Sequence, residues 1–97
     1  MVISDTFGRV WRVGQTNVAI GVAGLRPVHS YVGQRDPHGY DLRVTQLAVA
    51  DEVAGAAELV MGKTVGVPVA VVRGLAAHLG PGTARDLLRP PEEDLFR

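Results

Sequence analysis

Residues 44–61, VTQLAVADEVAGAAELVM, decide how the fold is read. Val49, Val53, Ala56, Ala57 and Val60 recur at i, i+4, i+7, i+8 and i+11, the spacing of one helix face. Thr45 is the expected N-cap and Gly62 the expected residue just past the last turn. Asp51 and Glu58, two turns apart, are expected on the wetter side and solvated. Five alanines and Gly55 keep the helix surface low. That suits close packing against another element or another subunit, and it equally suits an ordinary core helix.

Towards the N-terminus, residues 33–42, GQRDPHGYDL, carry a Pro37 and Gly39 turn signal able to join two strands as a hairpin. Residues 16–28, TNVAIGVAGLRPV, are apolar with Gly21 and Gly24 inside, as in a buried strand or a close backbone approach. MVIS at the start is a short strand-forming run, and DTFGR after it reads as the loop at the strand's end. Towards the C-terminus, residues 67–75, VPVAVVRGL, are almost continuously β-branched, as in a strand buried on both faces with Pro68 at its beginning. Thr83 is an expected N-cap for a short helix running through Leu88 and stopped by Pro90 and Pro91, and EEDLFR begins another. The elements together predict an α+β fold: a mixed sheet with one long helix, about 44–61.

A chain of 97 residues fits one domain, and at this size roughly 60 to 65% of the unfolded surface is buried, so the core is small. With 46% hydrophobic and 21% charged residues and no apolar run near the length of a span, the composition is neither disordered nor membrane-spanning. Cysteine is absent, which excludes a disulfide framework and a thiolate metal site. MVISDTFGR lacks the pattern of a secretory signal, so the cytoplasm is the expected compartment. Ten basic and ten acidic residues cancel, which argues against a general nucleic-acid binder.

The balance hides a local bias. Arg9, Arg12, Arg26, Arg35 and Arg43 outnumber Asp36 and Asp41 between residues 7 and 43, and nine of the ten basic residues in the chain are arginine. Guanidinium forks suit carboxylates and phosphates, although any single arginine serves as a solvated surface charge.

Two short motifs carry possible chemistry. GKT at 62–64 lacks the rest of a Walker P-loop, with Ala57 where a glycine is required and the helix before the turn instead of after it. A glycine-flanked turn bearing Lys63 and Thr64 still offers backbone N–H groups and an ammonium to phosphate, while helix capping is its ordinary use. SDT at 4–6 offers a carboxylate beside hydroxyls, the hard oxygen ligands that magnesium or manganese accepts alongside phosphates. The same residues also build Asx and Ser/Thr turns. His29, His38 and His78 lack zinc-ligand spacing and are assigned no metal.

The stretches VISDTFGRVWRVGQTNVAIGVAGL, RDPHGYDLRVTQLAVADEVAGAAELVMGK and VPVAVVRGL together resemble the coenzyme F420:L-glutamate ligase family, also called F420-0:γ-glutamyl ligases. The closing TARDLLRPPEEDLFR is similar to the region where bacterial members pass into a further, nitroreductase-like domain. The resemblance implies GTP-dependent attachment of L-glutamate to coenzyme F420-0, followed by γ-linked extension, with Mg2+ or Mn2+ as cofactor and GTP as co-substrate. It implies that Asp5 and Thr6 are metal ligands, and that Met61, Gly62, Lys63, Thr64, Val65, Gly66, Val67 and Pro68 line the guanine nucleotide. Lys63 stands where some members carry an acidic or amide metal ligand. A positioning role for Arg9, Arg12 and Gln15 towards phosphate or carboxylate is an inference from their chemistry alone.

The resemblance also implies that residues 1–97 are the C-terminal portion of a larger ligase domain, whose earlier half supplies a phosphate-gripping loop, another metal-binding aspartate and an asparagine at the nucleotide. The expected protein partner is accordingly that missing half or a second copy of the chain, with no nucleic acid and no membrane. The rival expectation is a non-catalytic truncated fragment or a subunit active only with its partner.

Overall fold

The computed structural model describes residues 1–40, 45–64 and 66–94. Its dominant element is an antiparallel hairpin of β1 (Val2–Arg9) and β2 (Arg12–Val22). Asp5 is paired with Val18, Thr6 with Asn17 and Phe7 with Thr16. The strand expected to stop at MVIS therefore runs on through DTFGR, and Asp5 and Thr6 lie mid-strand instead of in a loop. A long apolar partner strand supplies the ladder that overrides the local turn signal of an Asp-Thr pair and a glycine.

Val10 and Trp11 form the hairpin tip, and register shifts occur between Ile3 and Ser4 and between Gly8 and Arg9. At the second shift Gly14 adopts φ 94, a left-handed conformation that accommodates the extra residues of β2. The first shift leaves Ile20 without a partner opposite β1. Close approach at Gly21, expected from its glycine, is observed: a Cβ there would stand 3.3 Å from Ile3 Cβ.

A second antiparallel pair joins β3 (His29–Ser30) to β4 (Gln46–Leu47). The connection between them contains the expected turn, which Asp36 organises. Its Oδ1 accepts the backbone N–H groups of His38 and Tyr40 at 2.9 and 3.0 Å, and its carbonyl accepts that of Gly39 at 3.0 Å. Asp41 and Leu42, the end of the expected turn stretch, Arg43 of the arginine-rich region, and Val44, the expected helix start, lie outside the described residues.

Helix α1 spans Val49–Met61, shorter at its start than the expected 44–61. Gln46 and Leu47 are taken by β4, so Ala48, not Thr45, is the N-cap residue and makes no side-chain cap. One orphan N–H of the first turn finds a tertiary acceptor, with Ala50 N donating to Pro27 O at 3.1 Å. Gly62 ends the helix as expected, with φ 63 and its N–H donating to Glu58 O at 2.9 Å.

The buried face of α1 differs from the expected stripe. Val49, Ala50 and Ala54 are buried, whereas Ala56 and Val60 are exposed. In an alanine-rich helix several faces score alike as apolar, and close approach selects the one whose side chains are shortest. Ala19, Leu25, Val49 and Ala50 form the core cluster, with Val2, Val22, Val53 and Leu87 packed against it. Among the described residues no large side chain is fully buried, in keeping with the small core expected of the length.

VPVAVVRGL is not a strand among the described residues. Val67 and residues 69, 71 and 72 are exposed, Val71 by 78%. A β-branched run becomes a strand only where a neighbour offers a ladder, and no described segment pairs with it. Leu25 forms a single bridge with Leu79 beyond it. Thr83 does cap a helical turn, with Thr83 and Asp86 forming a reciprocal capping box, but Ala84–Leu87 is a 3₁₀ turn ending one residue before Leu88. Pro91–Glu93 forms a further 3₁₀ turn, and residues 95–97, where the last helix was expected to continue, lie outside the described residues. The observed class is thus α+β as expected, with antiparallel strand pairs and one helix.

Candidate functional site

Neighbouring residues of a strand project to opposite faces, so Asp5 and Thr6 separate. Asp5 is exposed, and its Oδ1 accepts the Thr6 backbone N–H at 2.8 Å. Thr6 shares the face of its cross-strand partner Asn17 and donates its hydroxyl hydrogen to Asn17 Oδ1 at 2.8 Å. Asn17 is 6% exposed, the one buried polar residue among those described.

The helix closes over this face. Asp51, Ala54 and Glu58 are spaced three and four apart and so form one line along α1. Ala54 is 2% exposed, which brings the two backbones close enough for the acids on either side of it to reach the hairpin. Asp51 Oδ1 accepts the Ala19 N–H at 2.8 Å beside the first register shift. Glu58 Oε2 accepts Asn17 Nδ2 at 3.0 Å. Neither acid is simply solvated, as the sequence reading had them.

Lys63, one residue past Gly62, completes a ring. Its Nζ donates to Thr6 Oγ1 at 2.7 Å and lies 3.2 Å from Glu58 Oε1. Thr6, Asn17, Glu58 and Lys63 are thus joined edge to edge, each touching two others. The side chains of Lys63 and Glu58 are 60% and 24% exposed, so their ion pair is worth about 0 to 1 kcal/mol in stability. The ammonium has three N–H bonds, and two acceptors account for two of them.

The structure therefore brings Thr6 and Lys63 together and leaves Asp5 on the other face of the hairpin. Of the remaining expected nucleotide residues, Met61 is half-buried and Gly62, Thr64, Gly66, Val67 and Pro68 are exposed around the turn, with Gly66 at φ 71. Val65 lies outside the described residues. Gln15 pairs with Gly8, two positions along from Thr6 and on the face of Asn17. Arg9 and Arg12 face each other at the far end of the hairpin, where Arg9 Nη2 donates to Val13 O at 3.4 Å.

As a seat for a hard cation the residues fit in part. Asp5 offers an exposed carboxylate, and Thr6 retains a lone pair, but its oxygen already receives the Lys63 ammonium. Among the described residues no group of three His, Cys, Asp or Glu side chains is gathered. An octahedral ion here would complete its oxygens from phosphates, water and residues beyond these.

Asn17, Asp51 and Glu58 were not singled out from the sequence as site residues. The available signals were a lone amide within an apolar strand and two acids seven residues apart bracketing an alanine. Met61 and Pro68 also line, with Ile3, Val53, Ala57 and Val72, an open apolar groove of about 560 Å³ between β1, α1 and the 68–79 segment. No helix among the described residues is long and apolar enough to cross a membrane.

Comparison with known proteins supplies the family. The sequence model of the F420-0:Gamma-glutamyl ligase family matches residues 1–74. A coenzyme F420:L-glutamate ligase of Methanothermobacter thermautotrophicus is 50% identical over 100 residues, covering all of this chain and 40% of the relative. That of Methanocaldococcus jannaschii is 44% identical over 98 residues, covering all of this chain and 39% of the relative. That of Methanosarcina mazei is 40% identical with the same coverage. The chain spans about two fifths of the length of these curated relatives. The hairpin, the helix and the turn that carries Lys63 all fall within the matched stretch, and the chain belongs to the F420-0:Gamma-glutamyl ligase family.

Proposed function

We propose that this chain contributes part of a ligase site that uses GTP to join L-glutamate to coenzyme F420-0 and then extends the product through γ-linkages. The observation that carries the reading is the meeting of Thr6 and Lys63, 57 positions apart, because it unites the expected metal-binding strand with the expected nucleotide turn. The names and the extent of the matched relatives support the same reaction class.

In this reading GTP transfers its γ-phosphoryl group to the acceptor carboxylate and GDP leaves; the glutamate amine then attacks the resulting acyl phosphate, losing a proton, and inorganic phosphate leaves as the amide forms. Asp5 and Thr6, which face opposite sides of the hairpin, would each offer an oxygen to a separate Mg2+ or Mn2+, which would supply charge neutralisation at the phosphates. Met61 to Pro68 line the guanine nucleotide, with Gly62 and Gly66 letting the backbone turn sharply enough to present its N–H groups. Gln15, on the face of the ring, positions a polar substrate group, while Arg9 and Arg12 serve a substrate part further along the hairpin. A GTP-consuming biosynthetic step belongs in the cytoplasm.

The chain works in this reading with the remainder of a ligase domain, not alone. The unpaired run of residues 67–75 and the open apolar groove support that dependence, since both present β-branched or aliphatic surface that packing would cover. A second copy of the chain is the other candidate partner, as in a homodimer.

The test is a chimera in which these residues replace the matching stretch of the Methanothermobacter relative. Mass spectrometry should detect glutamylated F420-0 that depends on both GTP and Mg2+ or Mn2+, and no product from the chain by itself. A folded chimera that binds GTP yet forms no product, beside an active parent, would overturn the reading.

A further inference from the structure

Three rings that the ligase reading does not use meet beside β3. Tyr31, two positions after His29, has its ring centroid 4.6 Å from that of His29, with the planes at 84°. His29 also meets His78 of the 3₁₀ turn Ala76–His78, with centroids 5.3 Å apart and planes at 89°. No metal-ligand spacing along the chain signals this pair; the fold creates it. The backbone holds both partners in place: His29 is paired with Leu47, Arg26 N donates to His78 O at 2.8 Å, and Leu25 forms a bridge with Leu79. The Arg26 guanidinium donates to Ala77 O as well, so the chain just before His29 and the chain around His78 are fastened to each other without any ligand.

We propose that His29 and His78 form a two-imidazole seat for a borderline divalent metal ion of the Zn2+ kind, separate from any hard cation of the ligase reaction. Imidazole nitrogen suits Zn2+, Cu2+ and Ni2+, whereas Mg2+ takes oxygen ligands. Two imidazoles bound to one tetrahedral ion at about 2.1 Å have centroids about 5.2 Å apart, because each centroid lies about 1.1 Å behind its nitrogen. The observed 5.3 Å matches that separation, and planes at 89° keep the C–H edges of the rings from colliding as they converge. Both histidines are half-buried, so one side stays open for an ion to enter. Tyr31, packed against His29, restricts the rotation of that ring. Among the described residues no third His, Cys, Asp or Glu joins the pair, so water completes the tetrahedron. The bound ion would staple β3 to the 3₁₀ turn and reinforce the bridge between Leu25 and Leu79.

Zn2+ binding to the 97-residue chain, measured by titration calorimetry in a buffer that does not chelate, tests the seat without any turnover. The ion should bind, and a large excess of Mg2+ should not displace it. His29→Phe and His78→Phe keep a ring for the edge-to-face contact but remove the ligating nitrogen, and each should weaken binding by at least about tenfold. His38→Ala removes an exposed histidine whose backbone N–H goes to Asp36, and it should leave binding within about twofold. Saturating Zn2+ should raise the melting temperature of the parent by about 5 °C or more, and that of the two Phe variants by much less. Unchanged far-ultraviolet circular dichroism would show that the variants keep the fold. The seat is refuted if the parent binds no Zn2+, if either Phe variant binds as tightly as the parent, if His38→Ala weakens binding equally, or if Mg2+ displaces the ion. Neither histidine has a part in the proposed ligase chemistry, so a failed seat leaves that proposal standing.

Discussion

Lys63 Nζ donates to Thr6 Oγ1 across 2.7 Å and 57 positions of the chain, which fastens the turn after the helix to the middle of the first strand. Strand, helix and turn meet there through polar groups, although the core between them is made of alanine, valine and leucine. The apolar contacts bring α1 onto the hairpin, and the ring of Thr6, Asn17, Glu58 and Lys63 sets where along the hairpin it rests.

Asn17→Leu should test that division. The substitution keeps a strand-compatible side chain but removes the acceptor of Thr6 and one donor to Glu58 at a buried position. Stability should fall by about 1 to 3 kcal/mol in urea denaturation, the cost of polar groups left without partners. Asn17→Asp should also destabilise, because it sets a carboxylate against Glu58, and added salt should lessen that loss. A stable Asn17→Leu protein would mean that water replaces the amide without penalty.

Lys63→Met makes the opposite prediction for stability. The ion pair is largely solvated, so its loss should move the unfolding free energy by less than about 1 kcal/mol. A loss of several kcal/mol in the same denaturation measurement would make Lys63 a structural clamp between the turn and the hairpin.

Two glycines should respond in opposite directions to alanine. A Cβ at Gly82 would stand 2.5 Å from Pro27 Cδ and 3.3 Å from Leu25 O, in a place where a ring and a backbone cannot yield easily. Gly82→Ala should cost about 1 to 3 kcal/mol. At Gly55, within α1, nothing lies within 4 Å of such a Cβ, and Gly55→Ala should stabilise by about 0.5 to 1 kcal/mol through helix propensity. Melting temperatures of the two variants would check both.

What could be read in the sequence follows from how local each feature is. Gly62 ends the helix and Thr83 caps the turn after it because each acts on its own neighbours. The extent of β1 was not legible, since Asp5 and Thr6 stay in the strand through partners twelve or so residues away. Nor was the start of α1, where Gln46 and Leu47 are claimed by β3. Thr6 and Lys63 were singled out as parts of one site, but Asn17 and Glu58, which connect them, were not. Their roles depend on which face of an alanine-rich helix turns inward, and periodicity scores several such faces alike.

The most direct test of the central claim is Asp5→Asn in the chimera that supplies the rest of the ligase domain. Asn keeps an Oδ1 to accept the Thr6 N–H, so the hairpin should persist while the carboxylate charge is lost. GTP-dependent formation of glutamylated F420-0 should fall by about a hundredfold or more, and Thr6→Val should reduce it less, since a neutral hydroxyl contributes less to a hard cation than a carboxylate. Full activity of Asp5→Asn, in a chimera whose parent depends on Mg2+ or Mn2+, would contradict the account.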